Sequence, residues 1–217
     1  MTTNPQPAAA STKLIGVASL GADRIGVILA GGKSSRMGQD KARLQLAGES
    51  LLQRAHHVLQ DAGCQRVLLS GKTRPDWLGT SIPDLAPDAG PVGGIISVLQ
   101  TLAAHETQPV TILFVPVDAP LLSPDLLQML LAQTQQDGCA IEGTPLPVAL
   151  RTTPVVMNQC ALILPAIQAG ESRSVKQFLQ PFNLVRIQLT DAINPCLCNV
   201  NTPTEWEGLR REFENRP

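Results

Sequence analysis

The run Ile25-Gly-Val-Ile-Leu-Ala30 is apolar without a break and stops at two glycines, Gly31 and Gly32. A short, uninterrupted apolar run with β-branched members reads as a strand covered on both faces, and such strands belong to parallel sheets sandwiched by helices. The same alternation continues downstream. Arg66–Ser70 reads as a second buried strand and Thr80–Pro83 as a short third. Val110–Val117 is the most continuous apolar run, which places it at the sheet centre. Between these strands, Ser50 is an N-cap for a helix through Leu51, Leu52, Ala55, Val58 and Leu59 that ends at Gly63. Pro91 opens a helix carrying Ile95, Ile96, Val98, Leu99 and Leu102. Ser123-Pro-Asp starts another, with Pro124 in its first turn, running to about Gln135.

The later part of the chain is less regular. Cys139–Glu142, Pro147–Leu150, Leu184–Leu189 and Cys196–Val200 read as strands, and 158–170, 172–180 and 202–213 as helices. Strands alternating with helices of this length predict one α/β domain, a doubly wound, mostly parallel, Rossmann-like sheet with helices on both faces. Residues 1–12 are small, polar and proline-containing, too poor in apolar surface to order themselves. The expected division is a flexible tail over 1–24 and a folded domain over 25–213.

Charge narrows the function classes. Seventeen Lys and Arg balance eighteen Asp and Glu, which argues against a general nucleic-acid or membrane-surface binder. No apolar run approaches the roughly 20 residues that span a bilayer, and residues 1–24 hold no continuous apolar core of a secretory signal. Five cysteines, at 64, 139, 160, 196 and 198, make poor disulfide arithmetic and fit a reducing cytoplasm. Cys196-x-Cys198 lacks a second ligand pair, so small residues in a buried strand explain it better than a metal site.

In open parallel sheets, ligands sit beyond the carboxyl ends of the strands. That rule puts the glycine turn, Ser70 and Asp118 on one rim. The turn is followed by three cations, Lys33, Arg36 and Lys41. Backbone N–H groups in a glycine turn approach a phosphate closely, and nearby cations neutralise it. The spacing is neither Gly-x-x-x-x-Gly-Lys-Ser/Thr nor Gly-x-Gly-x-x-Gly, which removes a P-loop and a dinucleotide fingerprint. Asp118 leaves a strongly apolar strand where a Mg²⁺ carried by phosphates would need one carboxylate; a turn or helix-cap aspartate is the competing reading. Asp84, in Ile82-Pro-Asp-Leu85, has an ordinary turn as its alternative. His56 and His57 lie mid-helix as a surface or partly buried pair.

The continuation of the turn is more specific. Leu-Ala-Gly-Gly-x-Ser-x-Arg-Met-Gly-x-Asp-Lys, at 29–41, resembles the signature of nucleotidyltransferases of the molybdenum cofactor guanylyltransferase family. Gly90-Pro-Val-Gly-Gly-Ile95, Asp118-Ala-Pro120, Gly170-Glu-Ser-Arg-Ser-Val175 and Asn199-Val-Asn-Thr-Pro-Thr-Glu205 resemble further family segments in the same order. The resemblance implies a guanine nucleotide site at Leu29, Ala30, Gly31, Gly32, Lys41, Ser70, Asp84 and Asp118, with Mg²⁺ on Asp118. It implies Arg36, Lys41 and Asp118 as the catalytic set. The implied reaction is transfer of GMP from GTP to molybdopterin with release of pyrophosphate, the alternative being a related transferase that uses another nucleotide or acceptor, such as a cytidylyl or sugar-phosphate type. Transient contact with other cofactor-biosynthesis proteins or molybdoenzymes is a further expectation. Arg173, Lys176, Asn199 and Asn201 are candidates for the acceptor side. Ser70 stands where asparagine is the familiar residue; its hydroxyl has a shorter reach and fewer donors.

Overall fold

The apolar run at the start becomes β1, Arg24–Leu29, whose residues after Arg24 are all buried. The computed structural model describes residues 24–31, 40–86 and 89–214. Gly32, Lys33, Arg36 and the expected tail lie outside the described residues, except that Arg24, assigned to the tail, is the first residue of β1.

After Lys41–Arg43, a single 3-10 turn, a small hairpin joins β2 (Gln45–Leu46) to β3 (Glu49–Ser50). Helix α1 (Leu51–Asp61) follows, and Ser50 and Gln53 form a reciprocal capping box at its start. The chain continues through β4 (Arg66–Ser70), β5 (Ser81–Ile82), α2 (Gly90–Ala103), β6 (Thr111–Pro116) and α3 (Pro124–Ala132). It ends with β7 (Gly138–Ile141), β8 (Val148–Arg151), α4 (Pro154–Gln168), α5 (Val175–Leu179), β9 (Leu184–Ile187) and α6 (Pro203–Glu214).

The main sheet runs in the order β5-β4-β1-β6-β8. β1 pairs in parallel with β4 and β6, and β4 with β5, while β8 runs antiparallel to β6. The parallel pair β7–β9 lies alongside β8, tied to it by the Arg151 N–H donating to the Asp137 carbonyl. β1 is thus the middle of the five strands, and the Val110–Val117 run sits beside it in β6.

Strand side chains alternate between two cores. Ile28, Leu69, Leu113 and Val115 pack under α1, α3 and α6; Ile25, Val27, Leu68, Ile112 and Phe114 pack under α2, α4 and α5. Helices therefore cover both faces of a mostly parallel sheet, as the alternation predicted.

Three local expectations fail. Cys196–Val200 is not a strand; a 3-10 turn at Asn194–Leu197 opens with Pro195 near its start, and Cys198 is exposed. The small residues that suggested a buried strand instead form a surface turn. Helix α4 begins at Pro154, four residues early, because Thr153 caps it as Ser123 caps α3. The 172–180 helix shrinks to α5, with Ser174 and Gln177 as its capping box.

Candidate active site

The parallel register sets the site. Leu29 is level with Ser70 on one side and Pro116 on the other, so β1, β4 and β6 end together. Their following residues, Ala30 and Gly31, Gly71, and Val117 and Asp118, share one rim. Beyond that rim lies a cleft of about 140 Å³ lined by five of the expected site residues, Leu29, Ala30, Gly31, Lys41 and Asp118.

Lys41 reaches the rim from the 3-10 turn that follows Asp40. Its Nζ donates to Asp118 Oδ2 at 2.7 Å and to Asn201 Oδ1 at 2.8 Å. The pair is partly shielded, with side chains 16% and 20% exposed. It is close enough to water that a ligand can reach both charges. The Asp118 backbone is fixed from another direction, because its carbonyl accepts the Val200 N–H at 2.8 Å. The C-terminal Asn-Val-Asn segment therefore closes on the first motif and on Asp118 at once.

Asn201 is itself held. Glu205 Oε2 accepts the backbone N–H groups of Asn201 at 2.7 Å and Thr202 at 3.0 Å, and Glu205 N–H donates to Thr202 Oγ1 at 3.2 Å. The Asn201 N–H, then the Thr202 N–H, hold the Glu205 carboxyl below its ordinary value. The fixed segment before α6 is what lets Asn201 meet Lys41.

Ser70 and Asp84 sit behind the glycine turn. Ser70 is buried, and its Oγ donates to Asp84 Oδ1 at 3.4 Å. A Cβ on Gly31 would stand 3.4 Å from Asp84 Oδ2, so the carboxylate backs the turn directly. Burial pushes the Asp84 carboxyl up, and the Ser70 hydrogen bond only partly opposes it. A Cβ on Gly94 would lie 2.4 Å from Ser70 Oγ. Glycine is required there because the first turns of α2 press against the Ser70 hydroxyl.

The start of α2 faces the same cleft. Pro91 lines it, and among the described residues no side chain caps the helix at Ala89. Uncapped N–H groups at a helix start carry partial positive charge that suits a phosphate.

Other expected residues fall elsewhere. Arg173 pairs with Glu171 at 3.9 Å, and Lys176 is exposed on α5. Asn199 is exposed beside Val200. The cleft is also lined by Leu146, between the two prolines at 145 and 147. Burial pushes the thiols of Cys64 and Cys139 up to about 11 and that of Cys160 to about 12, which suits packing rather than nucleophilic chemistry. Arg74, which carried no sequence signal of its own, stands behind Asp40, the aspartate that precedes Lys41 in the first motif, and is taken up below.

Among the described residues no three His, Cys, Asp or Glu side chains stand together as a metal cage. Asp118 nevertheless offers a hard oxygen donor at the strand-end rim, and among the described residues only its Oδ2 is engaged. One carboxylate plus phosphate oxygens is a donor set that suits Mg²⁺.

The sequence and the fold both have counterparts. Residues 26–187 match the family model described as MobA-like NTP transferase domain. The chain belongs to this family. A MobA-like relative, the molybdenum cofactor guanylyltransferase of Xanthomonas euvesicatoria, is 40% identical over 187 residues, covering 86% of this chain and 94% of the relative. The solved molybdopterin-guanine dinucleotide biosynthesis protein A of Archaeoglobus fulgidus superposes with a TM-score of 0.68 at 18% identity, covering 88% of this chain and all of that one. The 2-C-methyl-D-erythritol 4-phosphate cytidylyltransferase of Thermus thermophilus shares the fold with a TM-score of 0.58 at 15% identity, over 87% of this chain and 98% of that one. The MobA-like chain is thus a nucleotidyltransferase. Members of its family generally use a divalent metal. No helix among its described residues is long and apolar enough to cross a membrane.

Proposed function

We propose that this chain transfers GMP from GTP to molybdopterin, releasing pyrophosphate and forming molybdopterin guanine dinucleotide. The observation that carries the reading is the meeting of Lys41 and Asp118 at 2.7 Å beside Gly31, at the joined ends of β1 and β6. Cation, carboxylate and exposed backbone stand where a triphosphate needs all three. The curated relative's activity supplies the base and the acceptor.

The reaction asks the protein for alignment and charge neutralisation rather than a side-chain nucleophile. A terminal phosphate oxygen of molybdopterin attacks the α-phosphorus of GTP, and the bond to the departing pyrophosphate breaks. Backbone N–H groups of Gly31 and Gly32 and the uncapped start of α2 hold phosphate oxygens. Lys41, with Arg36, neutralises the triphosphate, and Asn201 keeps the Lys41 ammonium at the rim until substrate arrives. Leu29, Ala30, Ser70 and Asp84 form the guanine nucleotide wall. Asp118 would hold Mg²⁺, which supplies charge neutralisation on the phosphates when bound.

A nucleotide panel tests the assignment. GTP with Mg²⁺ should raise the melting temperature more than CTP or ATP with Mg²⁺. With molybdopterin present it should yield dinucleotide and pyrophosphate. Equal shifts for all three would remove the guanine assignment. Product from CTP alone would turn the reading to cytidylyl transfer, on the fold the Thermus enzyme shares.

A further inference from the structure

Lys41 is useful only if its ammonium is aimed, and a lysine is a flexible four-carbon stem. Its backbone lies in the one-turn helix Lys41–Arg43, too short to stabilise itself. The turn is held at its start by Asp40, whose Oδ1 accepts the Ala42 N–H at 3.1 Å. The other Asp40 oxygen, Oδ2, accepts Arg74 Nη2. Arg74 then uses its Nε on Asp76 Oδ1 at 3.2 Å and its Nη2 on Asp76 Oδ2 at 3.4 Å. Asp76 Oδ2 returns to the turn by accepting Arg43 Nε at 3.2 Å.

These four side chains make a closed ring between the Asp40–Arg43 turn and the segment after β4. The Arg74 side chain is 14% exposed, against 44% for Asp40 and 34% for Asp76. Its planar fork is thus the sheltered centre of the ring. Exposed ion pairs contribute little singly, but a sheltered guanidinium bridging two carboxylates fixes geometry as well as energy. Arg74 does not itself line the cleft; it touches the lining residue Asp40 and reaches Lys41 only through it.

We propose that Arg74 is a positioning residue for nucleotidyl transfer, which through Asp40 fixes the turn that aims Lys41 at the triphosphate. The inference rests on the proposed role of Lys41. Lysine at position 74 keeps the charge but cannot grip two carboxylates in one plane. Misplacing a positioning group by about 1 Å costs up to ~100-fold; a loosened turn should cost part of that.

A double-mutant cycle on the full chain tests it, reading GTP affinity with Mg²⁺ by calorimetry and KM against kcat. Arg74→Ala should weaken GTP binding about tenfold, within that range, with the loss mainly in KM. Arg74→Lys should fall between it and wild type, and Asp76→Ala should reproduce most of the loss. In a Lys41→Ala background, Arg74→Ala should change GTP affinity less than about twofold, because the group it positions is gone. If Arg74→Ala costs the same with and without Lys41, or lowers only the melting temperature, the positioning role is overturned. If Lys41→Ala alone leaves GTP affinity unchanged, the reading of the site fails instead, and the two failures are told apart.

Discussion

Asp118 and Asp137 are both carboxylates beside strands of the same molecule, and they are used in opposite ways. Asp137 is 6% exposed and fully engaged: Thr153 Oγ1 donates to its Oδ1 at 2.5 Å and the Asn183 N–H to its Oδ2 at 2.9 Å. Its carbonyl also takes the Arg151 N–H, so one residue ties β7, β8, the start of α4 and the approach to β9. Asp118 stands at a strand end with access to water and, among the described residues, one charged partner. A carboxylate whose hydrogen-bonding capacity is spent inside the fold is a fastener; one with capacity left at a strand end is available to a ligand.

Substitutions should separate the two. The largest effect is expected at Asp118→Ala, which should lower metal-dependent transfer by at least about 10²–10³-fold, as removal of a charge-stabilising group does. Its partly exposed ion pair should cost only about 0–1 kcal/mol of stability. Steady-state kinetics beside a thermal melt checks both halves, and a fully active variant would end the metal role. Asp137→Ala should do the reverse. It strands a buried hydroxyl and N–H, costing about 1–3 kcal/mol, while the folded fraction keeps its kcat. Loss of turnover without loss of stability would erase the distinction drawn between the carboxylates.

The smallest effect sharpens the comparison at Asp84. Its folded pKa is raised by burial, so the ionised form is penalised in the folded state. Above the raised value both states are ionised and the folded protein carries the full penalty; below the ordinary carboxylate value both are protonated and the penalty is gone. Asp84→Asn should therefore be more stable than wild type at neutral pH. The gap should close as pH falls through the raised pKa toward the ordinary one. Melting temperatures from pH 4 to 7 report this, and a gap independent of pH would show that the Asp84 charge costs nothing.

Much of this was legible in the chain because buried parallel strands and capped helices are local signals. Ile25–Ala30, Ser50 and Ser123-Pro-Asp needed only their neighbours to be read. The β2–β3 hairpin escaped because its turn places Ala47 at φ 52° beside Gly48 at φ 80°, and alanine is a poor signal for left-handed backbone. The Cys196–Val200 segment misled because small apolar residues suit either a strand or a turn, and tertiary packing chose. In the site, Lys41 and Asp118 were visible from their motifs. Arg74 was not, since a cation in a polar loop looks like any solvated charge until the fold brings Asp40 beside it.

Lys41 finds its partners 77 and 160 positions further along the chain. During synthesis the ribosome therefore releases the ammonium long before the residues that receive it. The parallel strands β1, β4 and β6 can associate once the chain has emerged past Pro116. The second hold on Lys41 waits for Asn201, just ahead of α6. A chain halted ahead of that asparagine would hold a sheet and a Lys41 paired to Asp118 alone. The two holds on one ammonium are thus made at different times in the life of the chain.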